Sequence, residues 1–356
     1  MSRKKSFFLF AFLFASTAFT HFFHFQPKIK IGIVSDAKYC GEREVAWRIK
    51  IAAEHLGWEV FLDEKEGHKL KKKKKLNWII CLLPNNRRIY KYCPTYLTIF
   101  HPFNYLNSER KLKPFYEKYD GYLLTIDQTD ELENDFQLKN RQFFSSAFYP
   151  TLQHVDYKEL VLDSLMTMIP VWSNRLTDEK FKTIYKTLSR SGFTKFYGIH
   201  ENKDIIEDGY MGKIPFDGTS VIQVLQKHGI VLIFHSEIHN KEKIPSSRIF
   251  EAAAASTVII SDENEFVKKH FKDTIFYVDT SLSAEEICAQ IRQHMDTIRQ
   301  NPKDALDKAK RAHQIFTEKF SMDTQLINLQ AMHNRIKKSK SPCFISFMKK
   351  ESPCES

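Results

Sequence analysis

The chain has 356 residues, 42% of them hydrophobic and 27% charged, with a formal net charge of +11. That length accommodates two core-bearing domains, and the composition excludes a generally disordered chain. The positive excess sits in local clusters, Lys71 to Lys75 and the stretch from Arg335 to Lys350, which read as solvated faces and not as a nucleic-acid footprint.

At the N-terminus, Arg3, Lys4 and Lys5 precede the phenylalanine-rich stretch Ser6 to Phe25. A basic flank followed by an apolar core predicts a signal peptide or membrane anchor over residues 1–26. The chain is therefore expected to be membrane-associated through a single N-terminal anchor. Ala15 and Ala18 offer a cleavage site for the alternative of export. The six cysteines, Cys40, Cys81, Cys93, Cys288, Cys343 and Cys354, show no CxxC spacing and no Cys/His cluster. This argues against a zinc site and gives no disulfide framework.

Residues 27–150 read as a first α/β domain. The β-branched run Lys28 to Asp36 is a strand, and Val45, Ile49, Ala52, Ala53 and Leu56 follow helical spacing until Gly57 stops the helix. Further short apolar strands follow in Trp58 to Asp63, Asn77 to Pro84, Thr95 to Pro102 and Tyr119 to Thr125, and Pro150 marks a hinge. This β-α-β order opens a parallel doubly wound sheet, but the GxGxxG fingerprint is absent, so a dinucleotide-binding domain is disfavoured.

Residues 151–336 read as a second α/β domain. A strand and loop fall in Met168 to Asn174, a helix in Asp178 to Gly192, and a strand in Thr194 to His200. A helix closed by Gly229 leads into the strand Ile230 to Ser236. Long amphipathic helices are predicted from Ala284 to Arg299 and Pro302 to Phe320, with a last helix running toward Ile336. Residues 337–356 are polar and basic and predicted to be disordered. The expected fold class is two Rossmann-like units in tandem.

Open parallel sheets bind ligands beyond the carboxyl ends of their strands. In the second domain those ends carry Ser173, Asn174 and Arg175 with Lys180 nearby, then Gly198, His200 and Glu201, then His235, Ser236 and Glu237. The segment "IPSSRIFEAAAASTVIISD", Ile244 to Asp262, adds a short helix with a polar front. Ser246 or Ser247 can cap it, with Pro245 in its first turn. A helix N-terminus binds phosphate, and Arg248 adds a permanent forked donor. Glu251, one turn on, can accept from a ribose diol, and Ala252 to Ala255 allow close packing.

With these residues in view, the second domain resembles the nucleotide-sugar-binding domain of GT-B glycosyltransferases, whose motif is a glutamate opening an alanine-rich helix followed by a "VI.SD" strand. The likeness covers residues 165–335 well and 28–150 by order of elements. Ser256 stands where that motif has glycine, and Lys243 where many members carry a second glutamate. The resemblance implies a GT-B architecture, two Rossmann-like domains facing a cleft, and transfer of a sugar from a nucleotide-sugar donor to a glycan, lipid or protein acceptor. It implies that Asn174, Arg175, Lys180, Ser246, Ser247 and Arg248 hold the donor diphosphate. Glu251, His200, Glu201 and Ser236 would hold the ribose and base. An inverting mechanism would call on His101 as general base, with Asp36 behind it. No DxD motif stands at a strand end, so no metal and no cofactor are expected. Two other readings stay open at this point: a catalytically silent glycan- or nucleotide-binding protein on the same scaffold, and a periplasmic two-domain ligand-binding protein.

Overall fold

The computed structural model describes residues 28–35, 40–65, 70, 75–83, 93–99, 119–125, 143–145, 148–169, 174–199 and 201–339. The expected N-terminal apolar segment and the basic tail beyond residue 339 lie outside the described residues. Among the described residues no helix is long and apolar enough to cross a membrane.

The first domain holds β1 (Lys30–Val34), α1 (Cys40–His55), β2 (Glu59–Asp63), β3 (Trp78–Cys81), β4 (Thr95–Ile99), β5 (Gly121–Leu124) and β6 (Phe143–Ser145). Its strands form one parallel sheet in the order β2-β1-β3-β4-β5-β6. Because side chains alternate across a strand, Ile31 and Ile33 point with Ile80 onto α1, whereas Val34, Ile79 and Cys81 pack on the opposite face.

The second domain holds β7 (Ser164–Met168), α2 (Glu179–Ser189), β8 (Thr194–Tyr197), α3 (Ser220–His228), β9 (Gly229–Ile233), α4 (Glu237–Lys241), α5 (Ser247–Ala254), β10 (Val258–Asp262), α6 (Glu265–Phe271), β11 (Phe276–Val278), α7 (Ala284–Gln300), α8 (Pro302–Ile315) and α9 (Met322–Ser339). Its five strands are parallel in the order β11-β10-β9-β7-β8. Val231 and Ile233 face the α3–α5 side, and Ile230 and Leu232 face the α2–α7 side, so both faces are buried.

The strand expected from Met168 onward lies earlier and ends at Met168. It runs between β8 and β9; Pro170, two positions beyond its end in the sequence, has no N–H to donate to a ladder. The helix expected through Phe320 ends at Ile315 and widens into a π-type turn, Phe316–Phe320. The helix α9, expected to close the second domain, instead packs Met322, Leu326 and Leu329 into the core of the first. Trp78 Nε1 donates to Gln330 Oε1 at 2.7 Å, and Tyr96 lies 2.6 Å from His333 Nδ1, which fixes that crossing.

Candidate active site

In each sheet the first strand sits inside the order, with its successors on either side, so a crevice opens at the carboxyl ends of β1 and β7. The two crevices face each other. Between them lies a cavity of about 340 Å³, lined from the first domain by Gly41, Glu44, Val45 and Arg48 of α1. The second domain supplies the ends of β7 and β8, the loop Lys213 to Phe216, and Ser247, Arg248 and Glu251 of α5.

The helix α5 is short because its sequence needs it to be. Ile249, Phe250 and Ala252 to Ala255 are buried to within 1% of complete exclusion, and the Phe250 ring meets those of Tyr149, Phe266, Phe271 and Phe320 in tilted and edge-on contacts. The remaining face carries Ser247, Arg248 and Glu251 into the cavity. Ser246 is the N-cap, accepting from the Arg248 N–H at 3.4 Å, while Pro245 precedes the helix instead of entering it. The chain then leaves α5 through Ser256 at φ 63°, a left-handed backbone that explains why the related motif has glycine there. Its hydroxyl accepts from the Lys158 N–H at 3.1 Å.

Arg248 reaches back to the carbonyl of Met168 at 3.3 Å. Burial pulls its guanidinium below the usual arginine range, against the opposing charges of Glu251 and Tyr185. Glu251 does not pair with Arg248 on the surface. It is 5% exposed, and its Oε1 accepts from Nη2 of Arg48, across the domain boundary, at 2.6 Å. Arg48, 3% exposed, also donates from Nε to Glu44 Oε1 at 3.1 Å, and Glu44 Oε2 accepts from the Gly218 N–H at 2.9 Å. Burial opposes the Arg48 charge, but the two carboxylates outweigh it and raise its pKa. Burial also raises Glu44, a shift that Arg48 and Gly218 reduce and Glu251 reinforces. Glu44, Arg48, Glu251 and Arg248 together carry no net charge, which is how so many ionised groups share one buried wall.

A second cluster lies behind this one. Arg175 is buried over the rings of Phe181 and Phe234, at 4.5 and 5.4 Å, with Nη2 3.8 Å from Asp262 Oδ2. Its pKa is lowered chiefly by burial; Tyr185 and Asp262 oppose that, and the Arg248 charge adds to it. Asp262 accepts from the His235 N–H at 2.9 Å, lies 2.7 Å from His235 Nδ1, and accepts from Asn240 Nδ2 at 2.8 Å. Burial alone would raise this carboxyl, but those partners hold it below its ordinary value.

The structure thus brings Ser247, Arg248 and Glu251 into one cavity, with Ser246 capping their helix. Arg175 stands behind them and does not line the cavity. Lys180 is tied away, its Nζ donating to the Thr280 carbonyl at 2.7 Å. Ser236 caps α4, accepting from the His239 N–H at 3.3 Å. Glu201 is exposed and lies 3.6 Å from Lys203. None of these three lines the cavity. Asn174 opens a 3-10 turn, but its side chain, together with His200, His101 and Asp36, lies outside the described residues. Sequence reasoning missed Glu44 and Arg48. Their signal is slight, an i, i+4 pair of opposite charges lodged beside the apolar stripe of α1.

Two parallel α/β domains facing a cleft define the GT-B architecture. Residues 194–331, which contain the α5 wall, match a family model described as glycosyl transferase-like. No curated protein sequence matches the chain. Solved structures do. An alpha-glucosyltransferase in complex with UDP superposes with a TM-score of 0.62 at 11% identity, covering 86% of this chain and 99% of that one. A sucrose-phosphate synthase from Thermosynechococcus elongatus gives 0.56 at 10%, covering 88% and 100%, and a glycosyltransferase from Rickettsia africae ESF-5 gives 0.53 at 11%, covering 88% and 100%.

Proposed function

We propose that the chain is a glycosyltransferase that moves a sugar from a nucleotide-sugar donor to a glycan, lipid or protein acceptor, using the interdomain cavity as its donor site. The observation that carries this reading is the face of α5. A helix of the matched family segment presents its capped N-terminus, Arg248 and Glu251 into a cleft at the carboxyl ends of both sheets.

In this reading the diphosphate lies against the α5 N-terminus and Arg248. As the bond between sugar and phosphate breaks, negative charge grows on the departing diphosphate. A fixed cation and aligned backbone N–H groups stabilise that charge without reorganising. Arg175, buried over Phe181 and Phe234 within reach of the Arg248 charge, contributes longer-range positive potential. Glu251 accepts from the ribose hydroxyls. These groups can carry the diphosphate's charge, so no metal is assigned to the reaction. The base rim assigned to His200 and the general base assigned to His101 with Asp36 rest on the sequence alone. So does attachment to a membrane through residues 6–25.

Thermal unfolding in the presence of UDP, GDP, ADP and CMP tests the reading. A ligand at about 100 times its Kd adds about 2.7 kcal/mol to stability, a shift of several degrees. At least one nucleotide is expected to give it, with release of that nucleotide from its sugar conjugate. Absence of any shift with all four refutes the donor site. UDP is tried first because the similar alpha-glucosyltransferase binds it.

A further inference from the structure

We infer that Arg48, on the first domain, is a positioning residue for the donor: it holds Glu251 so that the free carboxylate oxygen meets the ribose diol, and so makes ribose recognition depend on the two domains being together. This inference rests on the cavity being the nucleotide-sugar site.

The Gly218 N–H of the second domain donates to Glu44 of the first, Arg48 donates to Glu44 beside it, and Arg48 donates to Glu251 back in the second. The chain of bonds crosses the domain boundary twice. Every side chain in it lines the cavity and is less than a tenth exposed. The Gly218 backbone is fitted to α1: its φ is 82°, and a Cβ at this position would lie 3.0 Å from Ile51 Cδ1 and 3.4 Å from the Arg48 nitrogen.

Burying an ion triad is a poor way to glue two domains, because the desolvation of three charges consumes most of the attraction gained, and apolar residues would hold as well. What the triad supplies that apolar residues cannot is orientation. A glutamate has three side-chain torsions, and one hydrogen bond from a guanidinium that is itself fixed by Glu44 removes that freedom before a ligand arrives. Only Oε1 is used. Oε2 of Glu251 has no hydrogen-bond partner among the described residues, and the residue borders the cavity. A carboxylate tethered at one oxygen and open at the other is arranged to accept a vicinal diol. Because the tether comes from the opposite domain, Glu251 is oriented only when α1 lies over it, and donor binding and closure must favour each other.

The test measures binding of UDP and of 2′,3′-dideoxy-UDP by calorimetry, to the full chain and to Arg48→Gln and Arg48→Lys. If UDP gives no thermal shift, the matched pair is built on whichever other panel nucleotide does. Wild-type protein that binds none of the four nucleotides refutes the donor-site reading itself. Where it binds, Arg48→Gln is expected to weaken the ribose nucleotide roughly tenfold or more, the range for a hydrogen bond to a charged group. The dideoxy nucleotide should change less than about threefold, since it has no diol for Glu251 to receive. Arg48→Lys, able to keep one contact, should fall between. Equal weakening of both nucleotides means that Arg48 only supports the fold, and unchanged binding of both means that it does not position Glu251; either result overturns the inference. If Arg48→Gln does not fold, Arg48→Lys and Glu44→Gln carry the same comparison.

Discussion

The ion pair between Arg48 and Glu251 can be weighed directly by a double-mutant cycle, with Arg48→Met and Glu251→Gln as near-isosteric replacements. The two side chains are 2.6 Å apart and at most 7% exposed, so solvent screens them little. Breaking a buried pair by removing one partner costs about 3–5 kcal/mol. Arg48 keeps Glu44 at 3.0 Å when Glu251 is neutralised, which puts Glu251→Gln near the lower end, about 3 kcal/mol, whereas Arg48→Met leaves both carboxylates without their cation and belongs near the upper end, about 5 kcal/mol. The double variant has no orphaned charge between these two, so it should lose less than the sum, with a coupling of about 1.5–3 kcal/mol. Urea unfolding provides the assay. Trp47, Trp58 and Trp78 lie in the first domain and Trp172 in the second, so in a Trp172→Phe background fluorescence follows the side that loses Arg48, and far-ultraviolet dichroism follows both domains. If the two single effects add to within about 0.5 kcal/mol, the pair does not form in solution and the cleft geometry argued from it fails.

Gly218→Ala places a Cβ against Ile51 and Trp47 at a left-handed φ, so it should lower stability by about 1–3 kcal/mol and weaken nucleotide binding more than Gly212→Ala, whose Cβ meets nothing within 4 Å. Comparable effects of the two substitutions would remove the role given to that close approach. Burial depresses His228, His313 and His333 below the ordinary histidine value, with neighbouring lysine charges adding to it for His228 and His333. The unfolded chain therefore takes up protons first as pH falls. Stability should be full above the unfolded value near 6.5 and decline as pH drops below it toward the folded values. His228→Gln should shrink that decline, as read from urea midpoints between pH 7.5 and 5. An unchanged slope would mean that His228 is not held neutral in the fold.

The elements that were legible share a physical basis. Val231 and Ile233 alternate with Ile230 and Leu232, and α3 ends where Gly229 adopts φ 75°, so the buried strand and its preceding helix announce themselves locally. The α5 motif was legible for the same reason: a cap, an arginine and a glutamate lie within six residues. What could not be read was pairing over distance. Arg48 and Glu251 are 203 positions apart, and nothing in either segment specifies the other. The contact of Lys180 was not legible either, because its sequence neighbourhood says only that it begins a helix. Its partner, the Thr280 carbonyl, belongs to a loop a hundred residues away.

The crossing of α9 has a consequence for how the molecule is made. Its Met322, Leu326 and Leu329 complete a core that otherwise consists of β1, α1, β3, β4, Leu123 of β5 and Phe148, all drawn from the first 148 residues. During synthesis the first domain emerges with that apolar surface uncovered, and it stays uncovered over the stretch between Phe148 and Met322. The second domain draws the cover for its own two faces from residues between 149 and 320, so it too is complete only just before α9 emerges. The two domains are therefore finished almost together, and a ribosome that stalls before residue 322 leaves one face of an otherwise complete first sheet open to aggregation.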